Sequence, residues 1–230
     1  LAELGVSEPE TDDRRVLDFK GGSTAGWERL NYYLWESQLL SSYKITRNGL
    51  LGGDYSSKFS PWLSAGCLSP RSIYAEVKQY ERDIKKNSST YWLVFELVWR
   101  DFFRYQAMSQ GDRFFRMKKD WTPRVHRDFE KWRLGETGQD FVDANMRELL
   151  HTGYMSNRGR QNVASYLVKD LGQPWLAGAL WFESRLIDHD VCSNYGNWTY
   201  QTGVGNDPRP DRYFKVAGQA ERYVPHATCR

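Results

Sequence analysis

The sequence predicts an all-α fold, and three observations carry that expectation. Apolar residues recur at helical spacing along nearly every periodic stretch, start and stop residues punctuate those stretches, and alternating runs with hairpin turns are absent. In chain order, Thr24 is placed to cap a helix through WERLNYYLWESQLLSSY, with Leu30, Tyr33, Leu34 and Ser37 on one side. Residues 49–57, where glycines cluster, read as a loop. Ser69-Pro70 joins an N-cap to a proline at the first helical position and opens RSIYAEVKQYERDIKK. A third helix is expected from about Thr90 to Ser109, ending before Gly111; it is apolar on most sides, which suits a central position. Further helices are expected over Phe141–His151, Ser156–Leu171 and Pro174–Ile187, and from Asp190 to about Thr202. There is no internal repeat. The first eighteen residues hold Glu3, Glu8, Glu10, Asp12, Asp13 and Asp18 against Arg14 and Arg15 and read as a linker or arm, leaving residues 19–230 as one helical domain.

Composition narrows the class. Hydrophobic residues at 40% and charged residues at 27% suit a globular chain rather than a disordered one. Mean hydropathy is −0.71, yet aromatics reach 15%, and each buries a large area, so the core need not be small. No apolar run approaches the roughly eighteen residues of a membrane span, so a soluble protein is expected. Cys67, Cys192 and Cys229 lie far apart with no CxxC pair, and the four histidines are scattered, which argues against zinc and against a disulfide framework. The chain opens LAELGVSEPE with neither an initiator Met nor a signal peptide, and the expectation is that something upstream is missing. Net charge is only +3, but residues 100–133 hold ten Lys/Arg against five Asp/Glu. Basic residues interleaved with aromatics suit a phosphate backbone, although on charge alone a solvated face accounts for them more simply.

Chemistry has to come from particular residues. Tyr55-Ser56-Ser57-Lys58-Phe59-Ser60-Pro61 sets hydroxyls and a lysine before an expected helix start, where free backbone N–H groups favour phosphate; as an isolated signal it is no more than an N-cap. Glu96, Trp99 and Arg100 share one face of the third helix. They form either an intrahelical ion pair at the surface or the polar lining of a cavity. Asn157, Arg160 and Gln161 repeat the same spacing, and Asp190, Asn194 and Trp198 form a stripe if their segment is helical. Asp188 and Asp190 could serve a metal or acid–base chemistry, but with only His189 nearby a metal is the poorer fit. An arginine beside one of these aspartates would keep it ionised.

Four ordered segments, YSSKFSPWLSAGCLSPRSIY, FELVWRDFFRY, GYMSNRGRQNVASYLVKDL and LIDHDVCSNYGNWTYQTGVGNDPR, resemble the FAD-binding domain of the photolyase/cryptochrome family. The resemblance runs from about Asp18 to Lys215, and NRGRQN, SNYGNWTY and GVGNDPR look most like the DASH cryptochrome branch. It implies a helical, FAD-binding domain. Tyr43, Ser56, Ser57, Lys58, Phe59 and Ser60 would hold the diphosphate and ribose region, and Arg100 would also serve the phosphates. Asn157, Arg160, Asp188, Asp190 and Asn194 would surround flavin and adenine, with Arg160 and Asp188 as an ion pair and Asn194 facing the flavin N5. Glu96 and Trp99 would face the cavity that a flipped pyrimidine dimer enters. Trp198 and Trp175 would be two of three stations carrying an electron to photoexcited flavin, with Trp121 as the third and Trp132 as its alternative.

The implied reaction is blue-light repair of cyclobutane pyrimidine dimers, chiefly in single-stranded DNA, with Arg158, Lys169 and the basic stretch gripping phosphates. The alternative is a photoreceptor that signals, or binds DNA or RNA, without repair. A third reading, a cofactor-free helical nucleic-acid module, would leave Arg160, Asp188, Asp190 and Asn194 unexplained. Gln161 and Tyr200 stand where duplex-repairing members tend to carry Met and Trp, which fits the DASH pattern. The histidine pair of (6-4) photolyases is not visible, and Asn194, rather than Asp or Cys, argues against the plant- and animal-type signalling branches. By the resemblance, a folate-type antenna chromophore belongs on an N-terminal α/β domain outside this sequence, and the protein is expected to be a monomer. Any organelle address would lie upstream.

Overall fold

Residues 3, 5, 12–116, 126–203 and 213–223 are described by the computed structural model, and no strand occurs among them. Helix α1 (Ser23–Asn31) passes into a π-helical turn over Tyr32–Glu36. Gln38 then adopts a left-handed conformation with φ of 50°, the chain tightens into a 3-10 turn over Leu39–Ser42, and α2 (Tyr43–Thr46) follows. The single helix expected from Thr24 to Tyr43 is therefore broken, because a left-handed residue cannot continue a right-handed ladder. Gly22, not Thr24, is the N-cap, and it makes no side-chain cap bond.

After the loop come α3 (Ser60–Ser64), α4 (Pro70–Asp83) and α5 (Ser88–Gln110). Ser69 caps α4 as expected, accepting from Arg71 N–H. Helix α5 starts two residues earlier than read: Asn87 Oδ1 accepts from the N–H groups of Ser89 and Thr90, while Thr90 Oγ1 accepts from Asn87 N–H. This reciprocal cap satisfies donors that would otherwise be orphaned, so Thr90 lies inside the helix. Gly111 ends it, and a 3-10 turn covers Gly111–Phe115.

Then follow α6 (Arg127–Leu134), α7 (Asp140–Thr152), α8 (Asn157–Ser165) with a π turn over Tyr166–Asp170, α9 (Trp175–Arg185), α10 (Val191–Thr202) and α11 (Val216–Tyr223). Helices α6 and α11 were not anticipated; α6 is short and charged, with only Phe129 and Trp132 buried. Helix α5 is central, as its apolar girth implies, packing against α2, α4 and α10.

Two apolar clusters result. One gathers α1, α4 and the first half of α5 around Tyr33, Ile73 and Leu93; the other gathers α7 to α10 around Met146, Val163 and Trp198. Two glycines bring α10 close to both neighbours. A Cβ on Gly196 would stand 2.2 Å from the Phe103 ring of α5, and one on Gly178 of α9 would stand 2.2 Å from the Trp198 ring. Only hydrogen fits at these crossings.

Candidate functional site

The two clusters leave a cavity of about 460 Å³ between them, within the usual range of ligand pockets. A smaller cavity of about 80 Å³ shares Asn157, Arg160, Gln161, Asp188 and Asp190 with it. Tyr43, residues 56–60, Glu96, Trp99 and Arg100 line the larger space, while Asn194 and Trp198 line the smaller. Sequence segments up to 158 residues apart thus meet at one place, from Tyr43 to Gln201.

One wall is the loop entering α3, and its shape is imposed by Arg29 of α1. The guanidinium donates to the carbonyls of Gly53 (2.7 Å), Ser56 (3.2 Å) and Ser57 (3.1 Å), and pairs with Asp54 at 3.3 Å. Because peptide groups are planar, carbonyls drawn toward Arg29 turn the N–H groups of Ser57 and Lys58 the other way. Lys58 itself is left-handed, with φ of 60°. Its amino group is buried over the Tyr55 ring, 3.1 Å from the centroid, with no hydrogen-bond partner in the protein. Burial pushes it down to about 6; Glu148 opposes that shift, and Arg29 and Arg160 add to it. Burial likewise pushes Glu148 up to about 7.

The opposite wall is α5. Glu96 and Arg100 do not pair with each other, which removes the intrahelical alternative. Glu96 pairs with Arg47 of the loop after α2, and Arg100 reaches Asp190 at 3.3 Å. Asp190 caps α10, accepting from Ser193 N–H at 2.9 Å. Burial acts to raise its pKa, but the Ser193 bonds, Arg100 and Arg104 together hold the carboxyl below its ordinary value. Trp99 meets Tyr200 edge-on at 5.5 Å, so α5 and α10 present paired aromatic rings to the cavity.

Between the walls, Arg160 donates to Asp188 Oδ2 at 2.8 Å and to Met155 O at 2.9 Å. Asp188 Oδ1 and Gln201 Oε1 are buried without a protein partner. Asn194 donates its Nδ2–H to Ala179 O at 2.9 Å, which leaves its Oδ1 as the acceptor available to the cavity. Asn157 begins α8 and lines both cavities.

The tryptophans separate into different settings. Trp198 is buried, 5.1 Å from Phe182 and 6.2 Å from Trp132. Trp132 is fully buried and donates to Val163 O, so it does not offer the solvent-facing exit that a last station needs. Trp175 opens α9 and stands 6.3 Å from Tyr195. Trp121 lies outside the described residues.

Compared with known proteins, residues 92–228 match the family described as the FAD binding domain of DNA photolyase. The chain belongs to the photolyase/cryptochrome family. Cryptochrome DASH of Natronomonas pharaonis is 62% identical over 229 residues, covering 97% of this chain and 48% of that protein. Cryptochrome DASH of Gloeobacter violaceus is 57% identical, with 98% and 46% covered. A solved cryptochrome from Synechocystis superposes with a TM-score of 0.90 at 56% identity, covering 94% of this chain and 46% of that one. A bacterial class III photolyase from Agrobacterium tumefaciens gives 0.77 at 32% identity, with 88% and 42% covered. The chain spans about half the length of the curated relatives it matches.

This photolyase-family chain is an FAD-binding domain, and its residues fit that cofactor. An unpartnered buried amino group at Lys58, an unpartnered carboxylate oxygen at Asp188 and an amide oxygen at Gln201 are costly unless a polar ligand completes them. Arg29, Arg47, Glu148 and Gln201 escaped the sequence reading. Arg29 and Glu148 stand in ordinary helix patterns that carry no local sign of a site. Arg47 carried no signal beyond its closeness to Tyr43.

Proposed function

We propose that this chain is the flavin-holding half of a blue-light-driven, DASH-type cryptochrome that repairs cyclobutane pyrimidine dimers, chiefly in single-stranded DNA. The observation that carries the reading is the continuity of the cavity. Residues suited to a dinucleotide, at the Ser56–Ser60 loop and the Arg160–Asp188 pair, share one space with the Glu96, Trp99 and Tyr200 face of α5 and α10. A base brought into that space would sit against the bound cofactor. Bound FAD, reduced and photoexcited, supplies the electron that splits the dimer.

The chain's own residues do the rest. The loop N–H groups and hydroxyls of Ser56, Ser57 and Ser60, with Lys58 and Tyr43, hold the diphosphate region. Arg100, balanced by Asp190, adds a cation beside it. Arg160, hydrogen-bonded to Asp188, would sit with it near the polar edge of the flavin, and Asn194 Oδ1 would be free to accept from the ring N–H at N5. The Trp99 and Tyr200 rings flank the flipped base and exclude water. Glu96, held by Arg47, offers its carboxyl to the base edge. Trp198 and Trp175 relay electrons from the surface, with Trp121 as the third station. Arg158, Lys169 and basic residues between 100 and 133, of which 117–125 lie outside the described residues, would meet the nucleic-acid backbone.

Supporting the single-strand preference is the cost of extrusion, which is smallest where no partner strand has to be unpaired. In this proposal residues 1–18, of which 1, 2, 4 and 6–11 lie outside the described residues, would serve as an arm to an N-terminal antenna domain with a folate-type chromophore. No helix among the described residues is long and apolar enough to cross a membrane. Two plant relatives, from Solanum lycopersicum and Arabidopsis thaliana, are named chloroplastic/mitochondrial, so an organelle is one setting for this chain. The second reading, a photoreceptor without repair, draws on the same Trp198 and Trp175 relay, which would serve photoreduction with no substrate.

The deciding experiment mixes the reduced, FAD-loaded protein with a single-stranded oligonucleotide carrying one thymine dimer, in blue light and in darkness. Light-dependent dimer loss that collapses in Glu96→Ala establishes the lyase. Photoreduction with the dimer intact establishes the photoreceptor.

A further inference from the structure

Tyr195 lies on α10, three residues before Trp198, and is 6% exposed. Its ring meets Trp175 edge-on, with centroids 6.3 Å apart and planes at 88°. Phe115 covers it from another side at 5.2 Å. Its hydroxyl donates to Glu183 Oε2 at 2.8 Å. Glu183 lies on α9, the helix that Trp175 opens, and it is exposed to solvent. Packing alone would be satisfied by any acceptor for a buried phenol, a backbone carbonyl included. Here the acceptor is a carboxylate that leads to water, and the ring touches Trp175, which the proposed electron relay uses.

A phenol is readily oxidised only when its proton leaves with the electron, because the phenol radical cation is a strong acid. A buried tyrosine therefore donates electrons only if a base stands at its hydroxyl. Burial first, and the Glu183 hydrogen bond second, push the Tyr195 hydroxyl up to about 12, so it carries its proton at neutral pH. The required base is in place.

We propose that Tyr195 is a redox-active donor at the end of a branch from Trp175, with Glu183 as its proton acceptor. The inference rests on the electron-relay reading given above. In that relay Trp198 would lose one electron to bound, oxidised and photoexcited FAD, and the Trp198 radical cation would take one electron from Trp175. Oxidised Trp175, a radical cation, then takes one electron from Tyr195 as the phenolic O–H bond breaks and the proton moves to the Glu183 carboxylate. The products are neutral Trp175, a neutral tyrosyl radical and a protonated Glu183, so one electron, one proton and total charge all balance. Glu183 passes the proton to solvent. The oxidising equivalent then rests on a ring shielded from water by Phe115, and return of the electron requires the proton to come back.

The test is time-resolved optical and electron paramagnetic resonance spectroscopy of the purified, FAD-loaded protein after a blue flash. The expected wild-type result is a tryptophan radical that decays as a tyrosyl radical rises, with a slower rise in D2O. Tyr195→Phe should keep the tryptophan radical and lose the tyrosyl signal. Glu183→Gln should slow tyrosyl formation about a hundredfold, the low end of what a positioned base contributes. Bound-flavin absorbance and helicity check that each variant is folded. A tyrosyl signal that is absent from wild type, or survives in Tyr195→Phe, overturns the proposal while leaving the relay intact. Unchanged radicals in Trp175→Phe overturn the relay reading itself, and with it this branch.

Discussion

Replacing Arg29 with alanine removes the cation that shapes the loop between α2 and α3, and its effect can be worked from the geometry. Three guanidinium bonds to carbonyls are lost, at 2.7, 3.1 and 3.2 Å, together with an ion pair to the half-exposed Asp54. Hydrogen bonds to a charged group contribute about 1.5–3 kcal/mol each, but these three share one fork and do not add fully. Counting two at the low end gives about 3 kcal/mol, and the Asp54 pair, screened by solvent, adds at most about 1 kcal/mol. If the loop must be reordered for FAD to bind, about 3 kcal/mol corresponds to roughly a hundredfold weaker binding. Riboflavin has no diphosphate and should bind the variant as it binds wild type. The assay is fluorescence titration of both flavins against wild type, Arg29→Ala and Arg29→Lys. The lysine variant, able to reach one carbonyl, should fall between the other two. Equal weakening of FAD and riboflavin, or an unchanged FAD affinity, would refute the positioning of the loop by Arg29.

Three further outcomes are expected. Gly178→Ala places a methyl 2.2 Å from the Trp198 ring, and overpacking of this kind should lower stability by about 1–3 kcal/mol and shift tryptophan fluorescence; calorimetry checks it. Lys58 has a folded pKa of about 6 against 10.5 ordinarily, so between those values only the unfolded chain holds the proton. Stability of the flavin-free protein should therefore rise with pH across that window, and denaturant midpoints of Lys58→Met should lack that rise; an identical pH profile would contradict it. Asp190→Ala removes the α10 N-cap and leaves Arg100 without its carboxylate, which should cost about 1–2 kcal/mol in urea denaturation, whereas Asp190→Asn should recover the cap portion.

Helix content and the central place of α5 were legible beforehand, and residues from all four quoted motifs line the larger cavity. They depend on periodicity and on ordered motifs, both of which are local properties of the chain. Helix α6 escaped because its pattern is too short and too charged to give an apolar stripe. The break at Gln38 escaped because nothing in the residues around it forbids a continuous helix. The Thr90 start was displaced by a capping box in which Asn87 is the better acceptor. Glu96, Trp99 and Arg100 were correctly set on one face, yet two readings stayed open for them.

What settled those readings is where the sequence alone stops. By itself the sequence determined the helical class, the face that each strongly periodic helix presents, and which segments resemble cofactor-binding motifs, because side-chain direction along a helix follows from its 3.6-residue period. Only the tertiary structure decided the partners. Glu96 meets Arg47 and Arg100 meets Asp190 across 49 and 90 residues of chain; Arg29 closes on a loop 24 residues away, and Tyr195 lies between Trp175 and Glu183. Each of these pairings depends on how α1, α5, α9 and α10 pack. That packing is set by close approach at Gly178 and Gly196 and by two apolar clusters, neither of which is encoded within any single segment.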